Sequence, residues 1–324
     1  MTESNATTSL THISENVARM REEIKKLIVG NDELIDMIII AILSEGHILI
    51  EGVPGTAKTT LAKTCAIILG CDFQRFQCSV DSQPADVIGV QFWDAEEKRF
   101  ELKKGPIFTN IFLIDEINRM SPKTQSAFIE ALSEKQATID GIGHDLPCPF
   151  FTIATQNPME FEGTFPLIEA QKDRFMFSVI ATHLSGEEEL EVIRREQDGT
   201  LNWKLFSEKL SPLFSGSSIL NDIESVKKIH AGEDILSYIR DIIVATREHA
   251  DINLGSSSRG SIALLRGSKA IAALDNRNYV IPDDVKRIAQ KALQHRIILR
   301  REAEISGTNS STVIRQILDS VEVP

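Results

Sequence analysis

The segment HILIEGVPGTAKTTLAKTCAIIL, residues 47–69, decides the fold. It reads as a short apolar strand, a turn containing glycine and proline, and then a helix. The turn, GVPGTAKT from Gly52 to Thr59, agrees with the phosphate-loop pattern G-x-x-x-x-G-K-[ST] at seven of eight positions. Between strand and helix, the loop's backbone N–H groups and the helix N-terminus converge on phosphate oxygens. Lys58 is then expected to reach the β- and γ-phosphates, and the Thr59 hydroxyl to coordinate Mg²⁺. The one departure is Ala57, where the pattern has glycine. An alanine there predicts an ordinary negative φ and a methyl that clears the phosphates; a positive φ would mean a compromised loop.

The chain around this segment has 324 residues, 42% of them hydrophobic, enough for one large domain and a small one. A formal net charge of -12 argues against a protein whose main task is coating nucleic acid, since neutralising phosphates needs clustered Lys and Arg. The start, MTESNATTSL, has neither a basic stretch nor an apolar run, so the expected location is the cytoplasm. The longest apolar run, Met37 to Leu43, is far short of the roughly 20 residues of a spanning helix and reads as a buried helix. Cys65, Cys71, Cys78 and Cys148 show no metal-binding spacing and read as small hydrophobes.

Two amphipathic helices are expected ahead of the loop, from about Ser14 to Leu27 and from about Asp32 to Ser44. Apolar runs then recur at 47–51, 73–78, 111–115, 150–155 and 174–180, read as strands buried on both faces and mostly separated by helices. Such alternation implies an α/β fold with a parallel sheet, its binding residues at the carboxyl ends of the strands. The texture changes after about Ser185. Residues 201–218 read as an irregular connection and the remainder as a small helical domain, giving boundaries of 1–198, 199–220 and 221–324.

Two further stretches carry chemistry. IFLIDEINR runs four apolar residues into Asp115 and Glu116, the form of a Walker B segment: Asp115 would hold Mg²⁺ through water and Glu116 would polarise the attacking water. FFTIATQNP places Asn157 just beyond another strand on the same sheet edge, where a neutral amide can bond both γ-phosphate and water; a polar turn residue before Pro158 is the other reading.

In order, GVPGTAKT, IFLIDEINRMSPKTQSAFIEALSEKQ, ATQNPMEFEGTFPLIEAQKDRF and GSSSRGSIALLRGSKAIAAL resemble the MoxR branch of the AAA+ ATPases over nearly the whole chain. The resemblance implies a P-loop NTPase αβα sandwich followed by a small all-helical lid, with ATP and Mg²⁺ as ligands. It makes Asn157 the sensor 1 residue, Arg174 an arginine finger acting on a neighbouring subunit, and Arg259 the sensor 2 residue reporting nucleotide state to the lid. It sets Val29 and Gly30 near the adenine. Gly52, Val53, Pro54, Gly55, Thr56, Ala57, Lys58, Thr59 and Thr60 would cradle the phosphates. It further implies a ring, expected to be hexameric, a von Willebrand factor A-domain partner, and chaperone-like maturation, metal insertion or assembly of client proteins. The sequence departs from the family pattern at Ile168 and Lys172.

Residues 85–106 and 135–151 read as hairpins, the first with its tip at Asp94–Lys98 and the second turning at Gly141 to Gly143. In related rings such hairpins face the pore or the client. Phe92, Trp93 and Phe100 are read first as packing against their own domain and second as client contacts. A helicase-like nucleic-acid motor and a non-hydrolysing, nucleotide-dependent scaffold remain as alternative functions.

Overall fold

The computed structural model describes residues 3–52, 57–157 and 163–324, with the backbone alone for residues 3–10. Helices α1 (Glu3–Lys25) and α2 (Asp32–Leu43) precede β1 (Ile48–Gly52), which leads to α3 (Lys58–Ile68) and β2 (Phe73–Gln77). Short α4 (Pro84–Ile88) opens the hairpin β3–β4 (Gly89–Asp94, Arg99–Lys104), and β5 (Ile111–Asp115) is followed by α5 (Pro122–Glu134). A second hairpin, β6–β7 (Gln136–Ile139, Ile142–Asp145), precedes β8 (Phe151–Gln156), one-turn α6 (Glu169–Lys172) and β9 (Phe177–Ala181). Helices α7 (Gly186–Gln197), α8 (Trp203–Lys209), α9 (Gly216–Lys227), α10 (Glu233–Glu248), α11 (Ser258–Leu274), α12 (Pro282–Leu293), α13 (Arg301–Ile305) and α14 (Ser310–Ser320) complete the chain, with a small antiparallel pair, β10–β11 (Ile252–Leu254, Ile298–Leu299), among them.

Five strands form one parallel sheet in the order β2-β5-β8-β1-β9. Its register sets Gln77 beside Asp115 and Glu51 beside Gln156, so the carboxyl ends of the inner strands form one edge. The expected αβα architecture with a helical lid is present. The run at 73–78 differs from its reading as a strand buried on both faces: β2 is the outer strand, and Gln74, Arg75 and Gln77 are exposed. Polar residues inside FQRFQ were the sign of an edge.

Two apolar clusters lie on opposite faces of the sheet. Leu49, Phe112, Ile114 and Ala154 pack with Phe128, Ile129 and Leu132 of α5. Ile48, Ile50, Leu113, Ile153, Phe177 and Val179 join α1, α2 and α3 and also α9 to α12 and α14, so the lid helices and the αβα layer share one core. Gly267 shows how close the approach is: a Cβ there would lie 2.6 Å from Ile288 Cγ1 and 3.0 Å from the Phe177 ring. Met37 to Leu43 are all buried, as expected, and among the described residues no helix is long and apolar enough to cross a membrane.

Helix α1 begins well before Ser14, because apolar periodicity marks only the buried part of a helix and nothing from Glu3 to Ser14 breaks one. Residues 201–218 are only partly irregular: 203–209 and 216–218 are helical, and 210–215 connect them. The Asn and Ser that pointed to a loop are helix caps: Asn202 Oδ1 accepts from the Lys204 and Leu205 amides, and Ser215 Oγ from the Ser218 amide.

Candidate nucleotide-binding site

A cleft of about 410 Å³ opens at the carboxyl edge of the sheet, lined by Gly52, Ala57, Lys58, Thr59 and Thr60 on one side and Asp115, Glu116, Thr155 and Asn157 on the other. Val53, Pro54, Gly55 and Thr56 lie outside the described residues. Ala57, the residue ahead of α3, has φ 54° and ψ 18°, which overturns the expected negative φ. A left-handed residue between strand and helix turns successive N–H groups toward one point, and that geometry outweighs the alanine methyl's cost of about 1–2 kcal/mol. The loop therefore carries strain at this position.

Lys58 is half-buried and its Nζ donates to the Gly52 carbonyl at 3.2 Å. Burial lowers its pKa, and the charges of Asp115 and Glu116 oppose that shift. Asp115 Oδ1 accepts the Thr155 hydroxyl at 2.5 Å, and the same hydroxyl accepts the Glu116 amide at 2.9 Å. Glu116 has φ 59°, turning the chain sharply as it leaves β5. Thr155 therefore fixes the two carboxylate-bearing residues against β8.

The acidic pair has three partners that motif reading missed. Arg75 Nη2 lies 2.7 Å from Asp115 Oδ2 and 2.6 Å from Gln77 Oε1, while Gln77 Nε2 donates to Glu116 Oε2 at 2.9 Å. Arg119 Nε lies 3.0 Å from the same Glu116 oxygen. The i, i+2 spacing of Arg75 and Gln77 on a strand was visible, but not that this strand neighbours β5. Asn157 sits just past β8, where its backbone carbonyl accepts from Asn118 Nδ2 at 3.4 Å.

Among the described residues no group of three or more His, Cys, Asp or Glu forms a metal cage. The Thr59 hydroxyl and Asp115 carboxylate are hard oxygen donors beside Lys58, a set that fits a Mg²⁺ ion taking its other ligands from water and phosphate.

Val29 and Gly30 are not among the residues lining this cleft; Gly30, at φ 64°, packs against Leu184 and Glu188 at the start of α7. Arg174 and Arg259 line a second cleft of about 390 Å³, which shares no residue with the first. Lys135, Asp173, Arg266 and Arg296 also line it. Arg174 Nη1 donates to Ser133 Oγ, and Arg259 Nη1 lies 3.3 Å from Asp173 Oδ2. Ile168 is exposed, and Lys172 adds positive charge near His295.

Both hairpins form. Phe92, Trp93 and Phe100 are 44%, 54% and 67% exposed, against the expectation that they pack on their own domain; Trp93 and Phe100 meet edge to face across the hairpin, 5.2 Å between ring centroids. The second hairpin turns at Asp140 and Gly141, both with positive φ.

Residues 47–177 match the family described as "ATPase family associated with various cellular activities (AAA)", and residues 244–317 match the AAA lid domain. The chaperone MoxR1 of Mycobacterium tuberculosis is 34% identical over 311 residues, 93% of this chain and 81% of that protein. The Bacillus subtilis protein YeaC is 41% identical over 303 residues, 94% of this chain and 93% of its own length. A crystal structure from Cytophaga hutchinsonii, provisionally named an ATPase, superposes with a TM-score of 0.90 at 38% identity, covering 99% of this chain and 98% of that one. The phosphate-loop cleft, the parallel sheet and these likenesses together show that the chain belongs to the MoxR family of AAA+ ATPases.

Proposed function

We propose that the protein hydrolyses ATP with Mg²⁺ as a ring of identical subunits and uses the cycle for chaperone-like maturation, metal insertion or assembly of client proteins. The observation that carries this reading is the division of groups between clefts. Lys58, Thr59, Asp115, Glu116 and Asn157 line one cleft, whereas Arg174 and Arg259 line another on the same chain. A nucleotide in the first would be complete only when the second cleft of an adjacent subunit supplies positive charge.

In this mechanism Lys58 and the amides at the start of α3 hold the phosphates. Thr59 and Asp115 would hold the cation, which would offset charge on the phosphate oxygens. Glu116 takes a proton from the attacking water, Asn157 orients that water, and Arg174 from the neighbour stabilises the charge of the transition state. Arg75 must release Asp115, and Gln77 and Arg119 must release Glu116, before either acts. The proposed assembly is a hexamer in the cytoplasm with a von Willebrand factor A-domain partner. The net charge of -12 speaks against a nucleic-acid motor, and the exposed Phe92, Trp93 and Phe100 offer a surface for client protein.

Mixing subunits tests this. Lys58→Ala and Arg174→Ala proteins are each expected to lose nearly all ATP turnover, and a mixture should recover part of it because each supplies what the other lacks. Full activity of Arg174→Ala alone would sink the shared-site reading. Strong stimulation of turnover by DNA would replace the chaperone reading with a motor.

A further inference from the structure

One buried side chain ties the end of the lid's α12 to the segment that carries Arg174. The Arg296 side chain is 2% exposed, and its five N–H donors all find acceptors. Nε donates to Asp173 Oδ1 at 3.0 Å. Nη2 donates to the Asp173 and Phe175 carbonyls at 3.1 and 2.6 Å. Nη1 reaches the Met176 carbonyl at 2.9 Å and the Ala292 carbonyl in the last turn of α12. The two preceding side chains of the lid extend this seam: His295 Nε2 lies 3.0 Å from the Phe175 carbonyl, and Gln294 Nε2 donates to the Ser178 carbonyl at 2.8 Å.

Asp173 is the other half of the junction. Both its oxygens accept the Ser257 hydroxyl at 2.9 Å, and Ser257 caps α11, whose first turn bears Arg259. Arg259 itself reaches Asp173 Oδ2. Arg174 is the next residue along the chain. Arg259 thus meets the Asp173 carboxylate directly, while Arg174 lies on the backbone whose flanking carbonyls, of Asp173 and Phe175, Arg296 holds; the Arg174 guanidinium itself donates to Ser133 Oγ. A planar fork can satisfy five fixed acceptors at once, which a lysine with three donors on a flexible stem cannot.

We propose that Arg296 is a positioning residue that docks the lid onto Asp173–Met176, so that Arg174 and Arg259 are presented as one rigid unit. The catalytic part of this proposal rests on the reading that these arginines serve an adjacent subunit's nucleotide. Lid motion then moves the finger with it, and the state of one subunit's lid is felt in its neighbour's site.

Arg296→Lys, which keeps the charge and loses the fork, is the variant to measure, with Arg296→Gln as the second. In hydrogen exchange, residues 173–176 and 257–262 of Arg296→Lys should lose protection together, by about tenfold, while α5 stays unchanged. ATP turnover should fall by about tenfold or more with ATP affinity unaltered, and adding Arg296→Lys to an Arg174→Ala, Arg259→Ala protein should cause no further loss. Loss of protection in neither segment, or in only one, overturns the latch. An equal further loss in the doubly altered protein overturns its action through the arginines. If Arg174→Ala and Arg259→Ala themselves turn over ATP normally, the catalytic reading fails, while the exchange result still decides whether the latch exists.

Discussion

The two clefts of this molecule are of similar size and opposite construction. The cleft at Lys58 is built largely from segments whose chemistry is contiguous in sequence: a strand, a loop, a helix start, and carboxylates at the end of another strand. The cleft at Arg174 draws on the turn before β1, the end of α5, the turn before β9 and two places in the lid, α11 and the turn after α12. Phosphate recognition by backbone amides is a local property of the chain, so a motif can encode it. Presentation of arginines at a surface depends on how distant elements dock, and no short motif encodes that. The first cleft is proposed to bind the nucleotide and the second to complete a neighbour's site.

Experiments can separate the two. The largest effect is expected at the second cleft: Arg174→Ala should lower ATP turnover about 10³-fold with little change in ATP binding to the same subunit. Comparable loss of nucleotide affinity would place Arg174 in its own subunit's site and erase the distinction. In the first cleft, Glu116→Gln should lower turnover by about 10²- to 10³-fold while binding persists, read by single-turnover hydrolysis against equilibrium binding. Unchanged turnover would favour the scaffold alternative.

A smaller effect concerns pH. His47, at the head of β1 and on the wall of the arginine cleft, is buried, with Nδ1 accepting from the Thr152 amide at 3.1 Å and Nε2 at 3.2 Å from the Leu132 carbonyl. Burial depresses its pKa to about 4, and His295 shifts in the same direction, mainly by burial and then by the charge of Arg296. The unfolded chain takes up the His47 proton near its ordinary value of 6.5 and the folded chain only near 4. Stability is therefore full above pH about 6.5 and is lost on acidification toward pH 4, by about 3 kcal/mol from His47. Denaturant unfolding should show this slope, and His47→Gln should flatten it. The smallest effect lies in the phosphate loop, where Ala57→Gly should raise stability by about 1 kcal/mol by relieving the left-handed alanine. A loss of stability would mean that the methyl makes contacts worth more than the strain.

The comparison also explains what was legible beforehand. The strands at 47–51, 111–115 and 150–155 were read correctly because inner strands of a parallel sheet are continuously apolar. The edge strand β2 was misjudged, and with it Arg75 and Gln77, because their partners Asp115 and Glu116 come from the register of β2 on β5 rather than from adjacency in sequence. The helices in 201–218 were missed because cap residues and loop residues are the same amino acids. At Ala57 steric preference alone points to a negative φ, and the turn that the loop has to make overrides it.

The sequence by itself determined the phosphate loop, the carboxylate pair, the parallel αβα architecture and the helical lid, since each depends on local periodicity or on groups a few residues apart. Only the tertiary structure decided that Arg174 and Arg259 share a cleft, that Arg296 and Asp173 join the lid to the sheet across 123 residues, and that the lid shares its core with the sheet. Periodicity tells a residue which face it occupies, but the partner on the other side is chosen by packing, which is settled only when the whole chain has closed.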